Sequence, residues 1–166
     1  FCDTIVESSR HLQLLINDLL DATRIERGTL KLVEQDNDAC ELVEVAIKLC
    51  RAQAEKNGVT IVGRLTEYIT QTGDMTRLQQ VIINLLTNAI KFSPKGGVVN
   101  VEMMRGSDAQ FILAVRDAGE GISQDGRQRV FAPFVQVEQA STRRYGDIGL
   151  GLSIARRIAG LHDGYV

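Results

Sequence analysis

The stretch DMTRLQQVIINLLTNAIKF, residues 74–92, decides how the rest of the chain is read. Leu78, Val81, Ile82, Leu85, Leu86, Ala89 and Ile90 recur at spacings of three and four, which places them in one apolar stripe on a helix. Asp74 stands where an N-cap residue accepts from first-turn amides. The same helix carries Asn84 and Asn88, four apart and so on one face, with Lys91 three further on. Two carboxamides and an ammonium at the edge of an apolar stripe are unusual for a core helix. A carboxamide oxygen is a hard, neutral ligand of the kind Mg²⁺ takes while keeping most of its waters, and a lysine beside it neutralises phosphate. Two asparagines bridging neighbouring backbone would give the same text.

Working outward, the periodicity changes several times. Residues 29–35 alternate like a strand, and Asn37 or Asp38 caps a helix running through Leu42, Val45, Ala46, Leu49 and Cys50 to Asn57-Gly58. Residues 59–65 and 69–72 read as short strands, Ser93 to Gly97 as a loop, and 98–104 with 110–115 as an antiparallel hairpin. Residues 117–148 are polar and glycine-rich with little period, and 150–161 form a final helix. Hairpins outnumber strand–helix–strand crossovers. The expected class is α+β: a two-layer sandwich whose mixed, mostly antiparallel sheet is covered on one face by helices. Ahead of it, Ile5, Leu12, Leu15, Leu19 and Ala22, widened by Ile16 and Leu20, make the stripe of a bundle-type helix that fades at Gly28. One such helix cannot bury its own stripe, so a partner helix is expected.

Composition fits a globular domain. Of 166 residues, 44% are hydrophobic and 24% charged, with 15 Gly and 2 Pro, which excludes disordered and collagen-like chains. No apolar run approaches the length of a spanning helix and no signal-peptide pattern appears, so no direct membrane contact is expected from this stretch. The net charge is −2, with a pI near 5.7, which argues against a dedicated nucleic-acid binder. Residues 1–83 carry net −4 and residues 84–166 net +2, a mild bias toward an anionic ligand in the second half. Cys2, Cys40 and Cys50 lack metal-ligand spacing and fit free thiols in a reducing compartment.

Two further clusters join the asparagine helix. Asp117-Ala-Gly119-Glu-Gly121 follows a strand; glycines two apart let backbone approach a flat ligand, and the carboxylate can accept from an amine or merely cap the turn. Gly146-Asp-Ile-Gly149-Leu150-Gly151-Leu152 opens a helix, where exposed amides and the positive dipole end suit phosphate. No parallel strand–turn–helix unit surrounds it, so it is not a dinucleotide fingerprint.

With these motifs in this order, residues 74–164 resemble the ATP-binding catalytic domain of sensor histidine kinases, in the superfamily that also holds gyrase, heat-shock chaperone and mismatch-repair ATPases. Asn84 to Phe92 looks like its N box and Asp117 to Gly121 its first G box; Phe131-Ala-Pro133-Phe134 looks like its F box and Gly146 to Leu152 its second. Residues 12–32 look like the second helix of the dimerisation and phosphotransfer domain with its linker. The resemblance divides the chain into 1–28, part of that helical domain, and 29–166, a catalytic domain without its last strand.

The resemblance implies Mg²⁺ and ATP as cofactors. Asn88 matches the metal ligand, Lys91 a phosphate contact and Phe92 an aromatic beside the nucleotide. Asn84 occupies the place where ATPase relatives keep a water-activating Glu; an amide cannot take a proton at neutral pH, so hydrolysis should be poor. That makes Asn84, Asn88 and Lys91 the catalytic candidates. Asp117 matches the carboxylate that accepts from the adenine amine, and Gly119 and Gly121 make room for the base. Phe131 and Phe134 border the nucleotide, Gly146, Gly149, Leu150, Gly151 and Leu152 meet its phosphates, and Arg143 and Arg144 lie on the ATP lid, 135–148.

There are departures. Asp147 and Ile148 stand where the family usually has a small residue and Thr, which puts an anion near phosphate and removes a hydroxyl donor. The phosphoacceptor motif, a His followed by an acidic residue, is absent; His11 lies on the wrong helix and reads as a bundle-surface residue, and His162 matches a structural stretch. The implied function is the catalytic module of a cytoplasmic or membrane-anchored protein-histidine kinase. Its partners would be ATP/ADP, a response-regulator receiver domain and a second copy through the helix bundle. The rival is a non-catalytic nucleotide-sensing module, favoured by Asp147 and Ile148 alone.

Overall fold

The computed structural model describes residues 2–65, 68–106, 110–135 and 149–166, and, ahead of Ile16, the side chains of Ser9, Leu12 and Gln13 alone. His11 falls outside the described side chains. Helix α1 (Cys2–Glu26) ends as its sequence predicts. Gly28 adopts φ 63, and the N–H groups of Gly28 and Thr29 donate back to Ile25 and Arg24 carbonyls at 3.0 and 2.9 Å.

Residues 29–34 form no strand. Strand β1 is Gln35–Asp38, because the Val33 N–H donates to Asp74 Oδ2 at 3.0 Å instead of joining a ladder. Helix α2 (Ala39–Asn57) follows, with Asp38 accepting from the Cys40 amide and Gly58 closing it at φ 69. Then come β2 (Thr60–Leu65), β3 (Thr70–Gly73), α3 (Met75–Phe92), β4 (Val98–Arg105) and β5 (Phe111–Arg116). A helix that the periodicity did not announce, α4 (Gln124–Arg129), starts at Ser123, whose hydroxyl accepts from the Gly126 amide. Helix α5 is Gly151–Leu161.

The class is α+β, but the strands form two sheets rather than one. β1 and β3 pair antiparallel, while the second sheet has the order β2-β4-β5. Its β4–β5 pair is the expected hairpin; β2 and β4 run parallel, joined through β3 and α3. Helices α2 and α3 pack on one face of that sheet. Leu42, Val43 and Ala46 of α2 meet Ile82, Leu86 and Ile90 of α3 over Val99, Val101 and Met103 of β4. The Cys50 thiol sits in this core, and burial raises its pKa, as expected of an inert thiol.

A smaller core lies on the other side of α3. Val81, Leu150, Ile154, Ala155 and Ile158 are buried together, and Ala22 and Ile25 of α1 pack against them. Helix α5 runs antiparallel to α3: its first residue, Gly151, meets Asn84, and His162 at its end meets Asp74. The end of α1 docks on the start of α3, where the Asp21 carboxylate pairs with Arg77 and accepts from Gln80 Nε2 at 3.1 Å. Further up α1, Leu12, Ile16, Leu19 and Leu20 remain exposed. Among the described residues no helix is long and apolar enough to cross a membrane.

Candidate nucleotide-binding site

Helix α3 carries the site because its apolar stripe is buried on both sides, which fixes the rotation of its polar edge. Asn84 and Asn88 lie one turn apart on that edge, both half-buried. Their surroundings differ. Asn84 Nδ2 donates to the Gly151 carbonyl at 3.0 Å, whereas the Asn88 carboxamide makes no hydrogen bond to a described residue. Lys91, in the last turn, stands over the Phe92 ring with its Nζ 5.0 Å from the centroid.

The first glycine motif is pinned to the end of this helix. Asp117 Oδ1 accepts from the Gly119 amide at 2.8 Å, a turn that the carboxylate itself builds. Gly119 then lies so close to the end of α3 that an added Cβ would sit 2.6 Å from the Phe92 carbonyl oxygen. Only glycine permits that approach. Gly121 adopts φ 75.

The second motif is pinned in the same way. Gly149 has φ 75, and a Cβ there would meet the Val135 carbonyl oxygen at 2.8 Å. The Phe134 N–H donates to the Gly149 carbonyl at 3.1 Å. Phe134 itself takes φ 62, a strained value for a non-glycine residue, and exposes its ring. Phe131 lies under Arg156 of α5, with the guanidinium carbon 5.3 Å from its centroid. Leu150 is 2% exposed and belongs to the smaller core, so its side chain serves packing. Leu152 is half-buried on the first turn of α5. Arg143, Arg144 and Gly146 lie outside the described residues.

The first glycine motif thus abuts the end of α3, the start of α5 abuts its polar edge, and the segment 131–135 abuts the start of α5. Helix α5 begins without a side-chain cap and without an acidic residue in its first turn, so among the described residues no side chain caps its first amides. Among the described residues no group of three or more acidic, His or Cys side chains is placed to hold a metal ion. The donor set on offer to a metal is a neutral carboxamide. That suits Mg²⁺ ligated mainly by phosphate and water. The residues present fit a magnesium nucleotide.

Over nearly its whole length the chain is similar to proteins named as histidine kinases. The sensor-like histidine kinase R01002 of Rhizobium meliloti is 36% identical over 168 residues, covering 100% of this chain and 32% of its own. The histidine protein kinase DivJ of Caulobacter vibrioides is 39% identical over 165 residues, covering 99% and 27%. The chain thus spans about a third or less of the length of these curated relatives. Full-length ShkA, solved in complex with AMPPNP, superposes with a TM-score of 0.79 at 29% identity, covering 93% of this chain and 32% of that one. Residues 73–166 match the family model described as histidine kinase-, DNA gyrase B- and HSP90-like ATPase. The chain belongs to that ATPase family, on its sensor-histidine-kinase branch.

Proposed function

We propose that this chain is the catalytic module of a protein-histidine kinase that binds Mg²⁺-ATP and delivers the γ-phosphate to a histidine outside this stretch. From there the phosphoryl group passes to an aspartate of a response-regulator receiver domain. The observation that carries the reading is the meeting of Gly151 with Asn84 on the helix edge that also holds Asn88, and of Gly119 with the end of that helix, held by contacts that tolerate no other residue at 119. That ShkA, which shares this fold, was solved in complex with AMPPNP supports nucleotide binding.

In this reading Asn88 holds the metal through its carboxamide oxygen, and Lys91 neutralises phosphate charge. Bound Mg²⁺ would supply charge neutralisation between the phosphates. Asp117 accepts from the base amine while its other oxygen keeps the Gly119 turn closed. The amides of Gly149, Gly151 and Leu152 face the phosphates. The chain splits functionally into residues 1–28, which pair with helices of a second copy through Leu12, Ile16, Leu19 and Leu20, and residues 29–166, which bind nucleotide. The site works in the cytoplasm, where ATP is available.

Titration with a fluorescent ATP analogue tests this. Saturable binding in the micromolar to millimolar range is expected, tighter in Mg²⁺ than in EDTA. No saturation at millimolar nucleotide in Mg²⁺ overturns the catalytic reading and favours a non-catalytic module.

A further inference from the structure

We infer that Asn84 is a positioning residue: its carboxamide N–H clamps the first turn of α5 beside the metal-binding asparagine, and it takes neither the metal nor an attacking water. This rests on the nucleotide reading above and names the task of one residue within it.

The first turn of α5 has few restraints. Its N-cap residue, Leu150, supplies no side-chain cap. Ser153 Oγ donates back to the Leu150 carbonyl at 2.8 Å and reaches no other element. Leu150 anchors the turn through the smaller core, and Phe134 tethers Gly149 from the F-box side. On the α3 side the tether is Asn84 Nδ2, 3.0 Å from the Gly151 oxygen. That carbonyl has two lone pairs, and a helical N–H needs only one; Asn84 takes the other. The two residues are in contact, since a Cβ on Gly151 would stand at an ordinary van der Waals distance, 3.6 Å, from Asn84 Cγ.

Donor chemistry matters here. Facing a carbonyl, the carboxamide must present nitrogen, because its oxygen would repel. A carboxylate at 84 has no N–H to give and sets oxygen against oxygen. Asn88, one turn on, makes no such bond to a described residue. Two residues of one type on one face are thus divided between holding backbone and holding metal.

The test compares the 166-residue chain with Asn84→Asp, Asn84→Ala and Asn88→Ala in two measurements. In ADP titrations, both Asn84 variants should bind about tenfold more weakly in Mg²⁺ and in EDTA alike, the loss of one good hydrogen bond. Asn88→Ala should instead lose only the advantage Mg²⁺ confers. In the nucleotide-free protein, hydrogen exchange at the Ile154 and Ala155 amides should quicken about tenfold in both Asn84 variants, while the α3 and β4 amides keep their protection. Asn84→Ala carries the reading if Asn84→Asp does not fold. Losses confined to Mg²⁺ would make Asn84 a metal ligand and overturn the inference. So would unchanged exchange in α5. Wild-type chain that binds no ADP overturns the nucleotide reading itself, an outcome separate from the exchange result.

Discussion

The backbone amide of Asp74 donates to Nε2 of His162 at 3.0 Å, joining residues 88 positions apart in the chain. The other ring nitrogen, Nδ1, lies 2.9 Å from the Ile158 carbonyl, which can only accept. Nδ1 therefore carries the proton and Nε2 offers its lone pair. The bond ties the start of α3 to the end of α5. The ring also packs on Gly73, where a Cβ would meet it at 2.9 Å.

His162→Ala should cost about 1–3 kcal/mol, because it leaves a part-buried amide without its acceptor. Urea unfolding followed by circular dichroism measures this. An unchanged midpoint would show that water replaces the ring. With both nitrogens engaged, His162 should also take no phosphate: incubation with labelled ATP should yield no acid-labile, alkali-stable label on it. Label there would contradict the structural role.

The Asp74 side chain works beside that amide. Burial pushes its pKa up, but the amides of Val33 and Arg77, the Arg77 guanidinium and the Thr76 amide outweigh burial and hold it below the ordinary carboxylate value. The fold thus favours the anion. Its contribution is complete above the ordinary carboxylate range and is lost as pH falls through that range and below. Stability should drop between about pH 5 and about pH 3, and Asp74→Asn should flatten part of that drop. Asp74→Ala at neutral pH should cost about 2–3 kcal/mol, a helix cap together with a linker bond. Equal acid sensitivity in Asp74→Asn would assign the drop to other carboxylates.

This cluster also marks where sequence reasoning stops. The ends of α2 and α3 were legible because Asp38, Gly58 and Asp74 act on residues within five positions of themselves. The β4–β5 hairpin was legible for the same reason. Residues 29–35 misled: their alternation is real, yet the Val33 amide goes to a carboxylate 41 residues away, which no local period records. Helix α4 buries only Gly126 and so leaves no apolar stripe; the Ser123 cap was its one signal. Parallel pairing of β2 with β4 has no local mark either. In the site, spacing made Asn84 and Asn88 alike, and only the arrival of α5 separates them.

Arg77 reaches from α3 to Asp21 on α1, and both side chains are largely buried, at 19% and 11% exposure. Arg77 Nη1 also donates to Gln80 Oε1 at 2.9 Å. Arg77→Ala leaves Asp21 charged without its partner and should cost about 3–5 kcal/mol. The double variant Asp21→Asn with Arg77→Ala should recover part of that loss, since no buried charge is stranded. A double-mutant cycle on unfolding midpoints reads the coupling. Simple additivity of the two variants would mean the pair is solvated.

Asp117→Asn separates two roles that one carboxylate holds. The structure gives Oδ1 to the Gly119 amide at 2.8 Å, and the asparagine carbonyl oxygen can accept that same bond. The turn should therefore persist, with Gly119 still seated on the Phe92 carbonyl. What disappears is the oxygen that accepts from the adenine amine, because with its carbonyl oxygen on Gly119 the asparagine faces the base with an N–H₂ donor; the charge-assisted bond so lost is worth about 1–2 kcal/mol. Affinity for ATP should fall about five- to thirtyfold on that basis. GTP presents a carbonyl where adenine presents the amine, and a carboxylate repels it; an amide can turn its nitrogen toward that oxygen. The ratio of ATP to GTP affinity should therefore narrow from both sides. Competition titrations against a fluorescent nucleotide give both constants on one protein. Gly119→Ala is the companion variant: it keeps the charge but forces the turn off the Phe92 carbonyl, so it should weaken ATP and GTP together. An unchanged ratio in Asp117→Asn, with thermal stability intact, would leave Asp117 as the builder of the turn and assign base recognition to another group.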